Sequence, residues 1–179
     1  MPPEKVKVAT IWLSGCSGCH MSLLDQDEAL IDLAQKIQLV YGPLVDTKKF
    51  PENVDVTLIE GAVANEEQLA LLKEAREKTK ILISLGDCAV DGNVPALRNA
   101  WQDSDKAVLE MAFIDTSEVN PQIPTEVPTL LKKVHPLHEV VKVDYFIPGC
   151  PPPSSIIAYV LTELLSGRVP NLEGRSKYG

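Results

Sequence analysis

The chain has 179 residues, 45% of them hydrophobic and 23% charged, a globular composition in which one domain can remove about 70% of its unfolded surface from water. The 17 basic residues face 25 acidic ones for a net charge of -8, and no basic run is longer than Lys48-Lys49 or Lys132-Lys133, a balance that argues against nucleic-acid binding. The segment Met1-Pro2-Pro3-Glu4-Lys5 has no basic-then-apolar leader and no twin-arginine pair, and no apolar run is long enough to span a bilayer, so the expectation is a soluble, cytoplasmic protein without a transmembrane segment.

Residues 6–13 (VKVATIWL) are short, β-branched and followed by Ser14-Gly15, which predicts a buried strand. Apolar residues then recur at helical spacing over residues 20–36, and residues 37–41 form a second strand ended by Gly42-Pro43. Residues 55–60 make a third strand, closed by Gly61. Asn65 stands three residues before Gln68, a capping-box spacing that opens a helix running to about residue 78. A fourth strand covers residues 80–85 and ends at Gly86, and residues 93–101 suggest a further helix.

Residues 103–139 read as loop with short helical pieces because four prolines interrupt them. Residues 140–147 make a fifth strand and residues 154–165 a last amphipathic helix. This alternation predicts an α/β fold, a flavodoxin-like doubly wound parallel sheet of about five strands with helices on both faces. One domain is expected over residues 1–166, with residues 167–179 as a tail.

Four cysteines fall on this map in a pattern. Cys16 and Cys19 follow the first strand, Cys88 the fourth and Cys150 the fifth. Loops leaving the carboxyl ends of parallel strands share one edge, where ligands bind at the topological switch point. Four thiols far apart in sequence are thus expected to converge, in loops rather than inside strands or helices. The two-residue gap of Cys16-Ser17-Gly18-Cys19 lets one turn present two thiolates to one metal centre, and nearby glycines allow close backbone approach. Pro148 and Pro151-Pro152-Pro153 stiffen the Cys150 loop, and a helix starting near His20 would aim its amino end at the site. In a reducing compartment these are metal ligands or redox thiols before they are disulfides.

Several chemistries suit such a set. An iron–sulfur cluster uses all four thiols. A thioredoxin-like pair at Cys16 and Cys19 leaves Cys88 and Cys150 unexplained. A structural zinc usually joins two short CxxC knuckles, and only one is present. Buried unligated cysteines complete the alternatives.

The segment Gly15-Cys16-Ser17-Gly18-Cys19-His20-Met21-Ser22, with Ile59-Glu60-Gly61-Ala62-Val63, Gly86-Asp87-Cys88-Ala89 and Ile147-Pro148-Gly149-Cys150-Pro151-Pro152 following in order, resembles the small subunit of cytoplasmic bidirectional NAD(P)-linked [NiFe]-hydrogenases over essentially the whole chain. The cluster-bearing subunit of respiratory complex I is a related pattern, but it carries adjacent cysteines where this chain has Cys16-Ser17-Gly18-Cys19. Uptake hydrogenases resemble the chain in their first domain and add further clusters, whereas four cysteines suffice for one.

The resemblance implies one proximal [4Fe–4S] cluster on Cys16, Cys19, Cys88 and Cys150. It implies a large subunit bearing the nickel–iron site as partner, and diaphorase subunits with flavin and iron–sulfur clusters that reduce NAD(P)+. This chain would relay electrons and hold no hydrogen-activating residue of its own. Glu60 matches a glutamate of the pattern and suggests a hydrogen bond near the cluster or a proton role, although a polar strand end explains it as well. Ser17 occupies a small-hydroxyl position between two ligands. His20 suits either a cluster or partner contact or a plain first-turn residue. His135 and His138 are expected to be solvated, and Trp12 and Trp101 to lie in the core or an interface. FMN, which true flavodoxins bind at this switch point, is disfavoured because the first loop is taken up by Cys16 and Cys19.

Overall fold

The computed structural model describes residues 5–178; residues 1–4, on which the expectation about a leader mostly rests, and Gly179 lie outside this range. In chain order the elements are β1 (Val6–Trp12), α1 (Gly18–Leu24), α2 (Ala29–Lys36), β2 (Ile37–Tyr41), β3 (Val54–Glu60), β4 (Val63–Asn65), α3 (Glu66–Lys78) and β5 (Thr79–Leu85). After these come α4 (Asp87–Asp91), α5 (Asn93–Ala96) with a 3-10 turn to Ala100, α6 (Ser104–Glu110) with a π-helical turn to Asp115, β6 (Leu130–His135), β7 (Tyr145–Ile147) and α7 (Ser154–Leu165).

Five strands form one sheet in the order β2-β1-β3-β5-β7, every neighbouring pair parallel. Counting only these five strands, this is the 2-1-3-4-5 order of a flavodoxin-like sheet, as the alternation of elements predicts. The period-2 pleat divides the apolar residues between the faces. Ala9, Ile11, Ile59 and Leu82 pack with Leu72 and Ala75 of α3. Val8, Val56, Leu58, Ile83 and Ile147 pack with Ile157, Val160 and Leu161 of α7. Between them, β3 is the most enclosed strand, buried from Val56 to Glu60.

Asn65 caps α3 as its spacing predicts, its side chain accepting the Gln68 N–H at 2.8 Å. Elsewhere the structure departs from the expected elements. The helix expected over residues 20–36 is two, because residues 25–28 turn between them with Asp27 at φ 49°. Strand β7 is only three residues long; residues 140–144, expected as its first part, follow a 3-10 turn at Leu137–Glu139 as turn and bend, and Asp144 anchors the strand by donating its N–H to Leu82 O and accepting the Leu82 N–H. A small second sheet pairs β4 with β6 in antiparallel fashion. Its strand β4 begins three residues after the end of β3. Trp12 and Trp101 are 48% and 46% exposed, so neither is a core residue.

Candidate functional site

The four cysteines meet. Cys16, Cys19, Cys88 and Cys150 line one cavity of about 90 Å3 at the carboxyl edge of the sheet, together with Glu60 and Asp87. All four are free thiols; Cys16 and Cys150 are exposed and Cys19 and Cys88 half-buried. Their settings differ from the expected loops in one respect. Cys19 is the second residue of α1 and Cys88 the second residue of α4, while Cys16 and Cys150 lie in loops. The first turn of each short helix thus supplies one thiol.

Backbone bonds hold the loops in place. Leu13 N–H donates to Glu60 O at 2.9 Å, and Ser14 and Ala62 exchange a reciprocal pair at 3.0 and 2.8 Å. These bonds fasten the loop after β1 to the loop after β3. Ser22 Oγ–H donates to Pro152 O at 2.5 Å and fastens α1 to the Cys150 loop. Gly86 sits at φ +81°, and a Cβ there would overlap Cys19 Sγ, so only glycine permits the close approach of the two loops. Gly149 sits at φ +135°, and its Cβ would lie 2.6 Å from Pro152 Cα.

Electrostatics show the same convergence. Burial pushes the Cys19 thiol up to about 12, and the Glu60 carboxylate, then Cys88, Cys16 and Cys150, push in the same direction. Burial pushes Cys88 up to about 11, with Cys150, Cys16 and Glu60 adding to it and the Val94 backbone amide opposing.

Glu60, at the end of β3, is 1% exposed. Its Oε2 accepts the backbone N–H of His20 at 2.7 Å and faces His20 Nδ1 at 2.7 Å. His20 Nε2 is buried without a hydrogen-bond partner among the described residues. Ser17, half-buried at φ 64°, precedes α1 and lines an adjoining apolar groove with Trp12 and Met21. His135 is paired with Glu139 at 2.6 Å and His138 lies 6.0 Å from the Phe146 ring, both on β6 and the turn after it.

Two contacts were not legible in the sequence. One is the His20–Glu60 pair, 40 residues apart. The other is Asp87, 4% exposed, whose Oδ1 accepts the Gly149 N–H at 2.6 Å. A charged residue between a strand-ending glycine and a cysteine was the available signal for the second.

The residues fit a thiolate-held cluster. The donors are four soft sulfur atoms, and the cavity is large against the roughly 10–15 Å3 that one water requires. Among the described residues no set of three or more His, Cys, Asp or Glu side chains closes on a single ion, and no helix is long and apolar enough to cross a membrane.

The chain is 44% identical over 170 residues to the delta subunit of the NAD-reducing hydrogenase HoxS of Cupriavidus necator, covering 92% of this chain and 80% of the relative. It is 46% identical over 171 residues to one subunit of the F420-non-reducing hydrogenase of Methanothermobacter marburgensis. There the match covers 92% of this chain but only 54% of the relative, so the chain spans about half the length of that protein. A crystal structure of an NAD+-reducing [NiFe]-hydrogenase in the H2-reduced state contains a chain that superposes with a TM-score of 0.92 at 40% identity, covering 98% of this chain and all of that one. The NADH ubiquinone oxidoreductase 20 kDa subunit family matches residues 16–164, and the chain belongs to that family.

Proposed function

We propose that this chain is the electron-transferring small subunit of a cytoplasmic [NiFe]-hydrogenase coupled to NAD(P), holding one proximal [4Fe–4S] cluster on Cys16, Cys19, Cys88 and Cys150. The observation that carries the reading is the gathering of four free thiols, from three separate strand ends, around one cavity. The similarity to a subunit of an NAD-reducing hydrogenase over 92% of the chain supports the assembly. Its partners in this reading are a large subunit that holds the nickel–iron site and diaphorase subunits that pass electrons to NAD(P)+.

A bound cluster supplies one-electron transfer. The chain's own residues fix where that happens and shield it. Glu60 holds the first turn of α1, and with it Cys19, against the end of β3. Gly86 and Gly149 let the loops close without side chains in the cavity. Burial of Cys19 and Cys88 keeps both thiols protonated until metal displaces the proton. Exposed Cys16 and Cys150 mark the open side of the site, where the large subunit would cover it.

Iron and acid-labile sulfide analysis with low-temperature EPR on the anaerobically purified protein tests this reading. Four irons and four sulfides per chain are expected, with an S = 1/2 signal on dithionite reduction that each single Cys→Ala change removes. Full cluster retention in Cys88→Ala or Cys150→Ala would overturn the ligand set, and a metal-free protein after reconstitution would overturn the relay.

A further inference from the structure

We propose that Asp87 is a positioning residue that sets the separation of two ligands, Cys88 and Cys150, by clasping the loops that carry them; the proposal rests on the cluster reading above. The ladder between β5 and β7 ends at the Leu85–Ile147 pair. Beyond it the two chains would be free to splay, since no strand pairing continues. Three hydrogen bonds take over. Gly86 N–H donates to Ile147 O at 2.8 Å, Asp87 N–H donates to Gly149 O at 3.0 Å, and the Asp87 carboxylate accepts the Gly149 N–H at 2.6 Å.

Asp87 therefore engages both polar groups of one residue's backbone, one through its own backbone and one through its side chain. This two-point attachment fixes distance and rotation together, which a single bond would not. The attached residues each stand one position before a ligand: Asp87 before Cys88, Gly149 before Cys150. Asp87 is 4% exposed, so water does not compete for the bond. Gly149 carries φ +135°, and a Cβ there would lie 2.6 Å from Pro152 Cα, so the backbone around its amide is confined. The Asp87 carboxylate also keeps the Gly149 N–H occupied. Hydrogen bonds to cluster sulfurs are a determinant of potential, so the residue sets both the geometry and the polarity on this side of the site.

The test uses the assembled complex, purified anaerobically as wild type, Asp87→Ala, Asp87→Asn and, as a control for general destabilisation, Asn65→Ala, which removes the cap of α3. Readouts are the EPR spectrum, the cluster midpoint potential by redox titration, and the rate of iron release to a chelator. Asp87→Ala is expected to change the g-values, shift the potential and release iron about 10–100-fold faster. Asp87→Asn keeps an acceptor oxygen and is expected to restore spectrum and release rate towards wild type. Asn65→Ala is expected to lower the melting temperature and leave spectrum and potential alone.

If Asp87→Ala yields no assembled complex, Asp87→Ser replaces it, since its hydroxyl ends one bond short of the carboxylate oxygens. An unchanged spectrum, potential and release rate in the alanine or serine variant, or an asparagine variant indistinguishable from it, would overturn the positioning role while leaving the cluster reading intact. Absence of iron from the wild-type complex would overturn the cluster reading and the positioning role with it.

Discussion

One carboxylate oxygen, Glu60 Oε2, accepts the backbone N–H of His20 and faces its ring Nδ1, each at 2.7 Å. Glu60 ends the central strand and His20 directly follows Cys19, so the contact fixes the Cys19-bearing turn to the most enclosed part of the sheet. The same carboxylate raises the Cys19 thiol, after burial the largest cause of its shift.

Replacing Glu60 by alanine would leave the His20 amide without its acceptor in a buried setting, at a cost of about 2 kcal/mol. Glu60→Gln keeps an acceptor oxygen and removes the charge. In the metal-free protein its Cys19 thiol is expected to titrate below the wild-type value of about 12, because a nearby negative charge disfavours the thiolate. Thiolate absorbance against pH reads this directly. An unmoved titration would show that the carboxylate does not act on Cys19.

Cluster assembly should depend on pH. Cys19 and Cys88, pushed up to about 12 and about 11 from an ordinary 9.0, bind protons more tightly folded than unfolded. Their contribution to the stability of the metal-free fold is present in full below pH 9 and is lost as pH rises through the folded values. Ligation requires the thiolates, so reconstitution with iron and sulfide is expected to accelerate by about tenfold per pH unit between roughly pH 7 and 8.5 where one thiolate limits the rate. The rise of cluster absorbance after mixing measures it, and a pH-independent rate would rule out buried protonated thiols as the barrier.

Gly86→Ala should be more disruptive than its size suggests. The backbone there has φ +81°, and the added methyl would overlap Cys19 Sγ. The strained dihedral alone costs about 1–3 kcal/mol, and relief of the overlap must move the Cys19 side chain. Iron content well below wild type is expected, with a lowered melting temperature. Normal iron loading in a stable Gly86→Ala protein would show that the loop has slack the packing does not suggest.

Far from the cavity, Asp144 holds β7 in register. Its Oδ2 accepts the Leu82 N–H at 2.9 Å and faces the Arg76 guanidinium at 2.6 Å. Burial opposes ionisation, but the Leu82 amide and Arg76 outweigh it and hold the carboxyl below its ordinary 3.8. This contribution is present above the unfolded value and is lost as pH falls through the folded one. Asp144→Ala is expected to cost about 2 kcal/mol and to flatten the acid limb of stability below about pH 4. Urea melts at pH 7 and at pH 3 check both, and an acid limb of unchanged steepness would assign the acid sensitivity to other groups.

Much of this architecture is local chemistry and reads directly from the chain. Apolar runs bounded by glycine place β1, β2, β3 and β5 to within a residue or two, and the Asn65–Gln68 spacing places the start of α3. Alternation of strand and helix specifies the parallel sheet, and with it the shared edge on which Cys16, Cys19, Cys88 and Cys150 fall. Strand β6 was not legible, because its partner β4 is only three residues long and some 65 residues away. Neither segment has a period of its own; their pairing is decided by what surrounds them. Helix α4 was missed for the same kind of reason, since five residues carry too little pattern.

The sequence by itself therefore determined the sheet, its order and the clustering of four thiols, all of which follow from patterns within a few residues and from the handedness of βαβ connections. Only the tertiary structure decided that Glu60 is buried against His20 and that Asp87 closes on Gly149. It also decided that burial raises the Cys19 and Cys88 thiols. These facts depend on distances between residues 40 and 62 positions apart and on how much water is excluded around them. Both are properties of the packed edge and of no single stretch of chain.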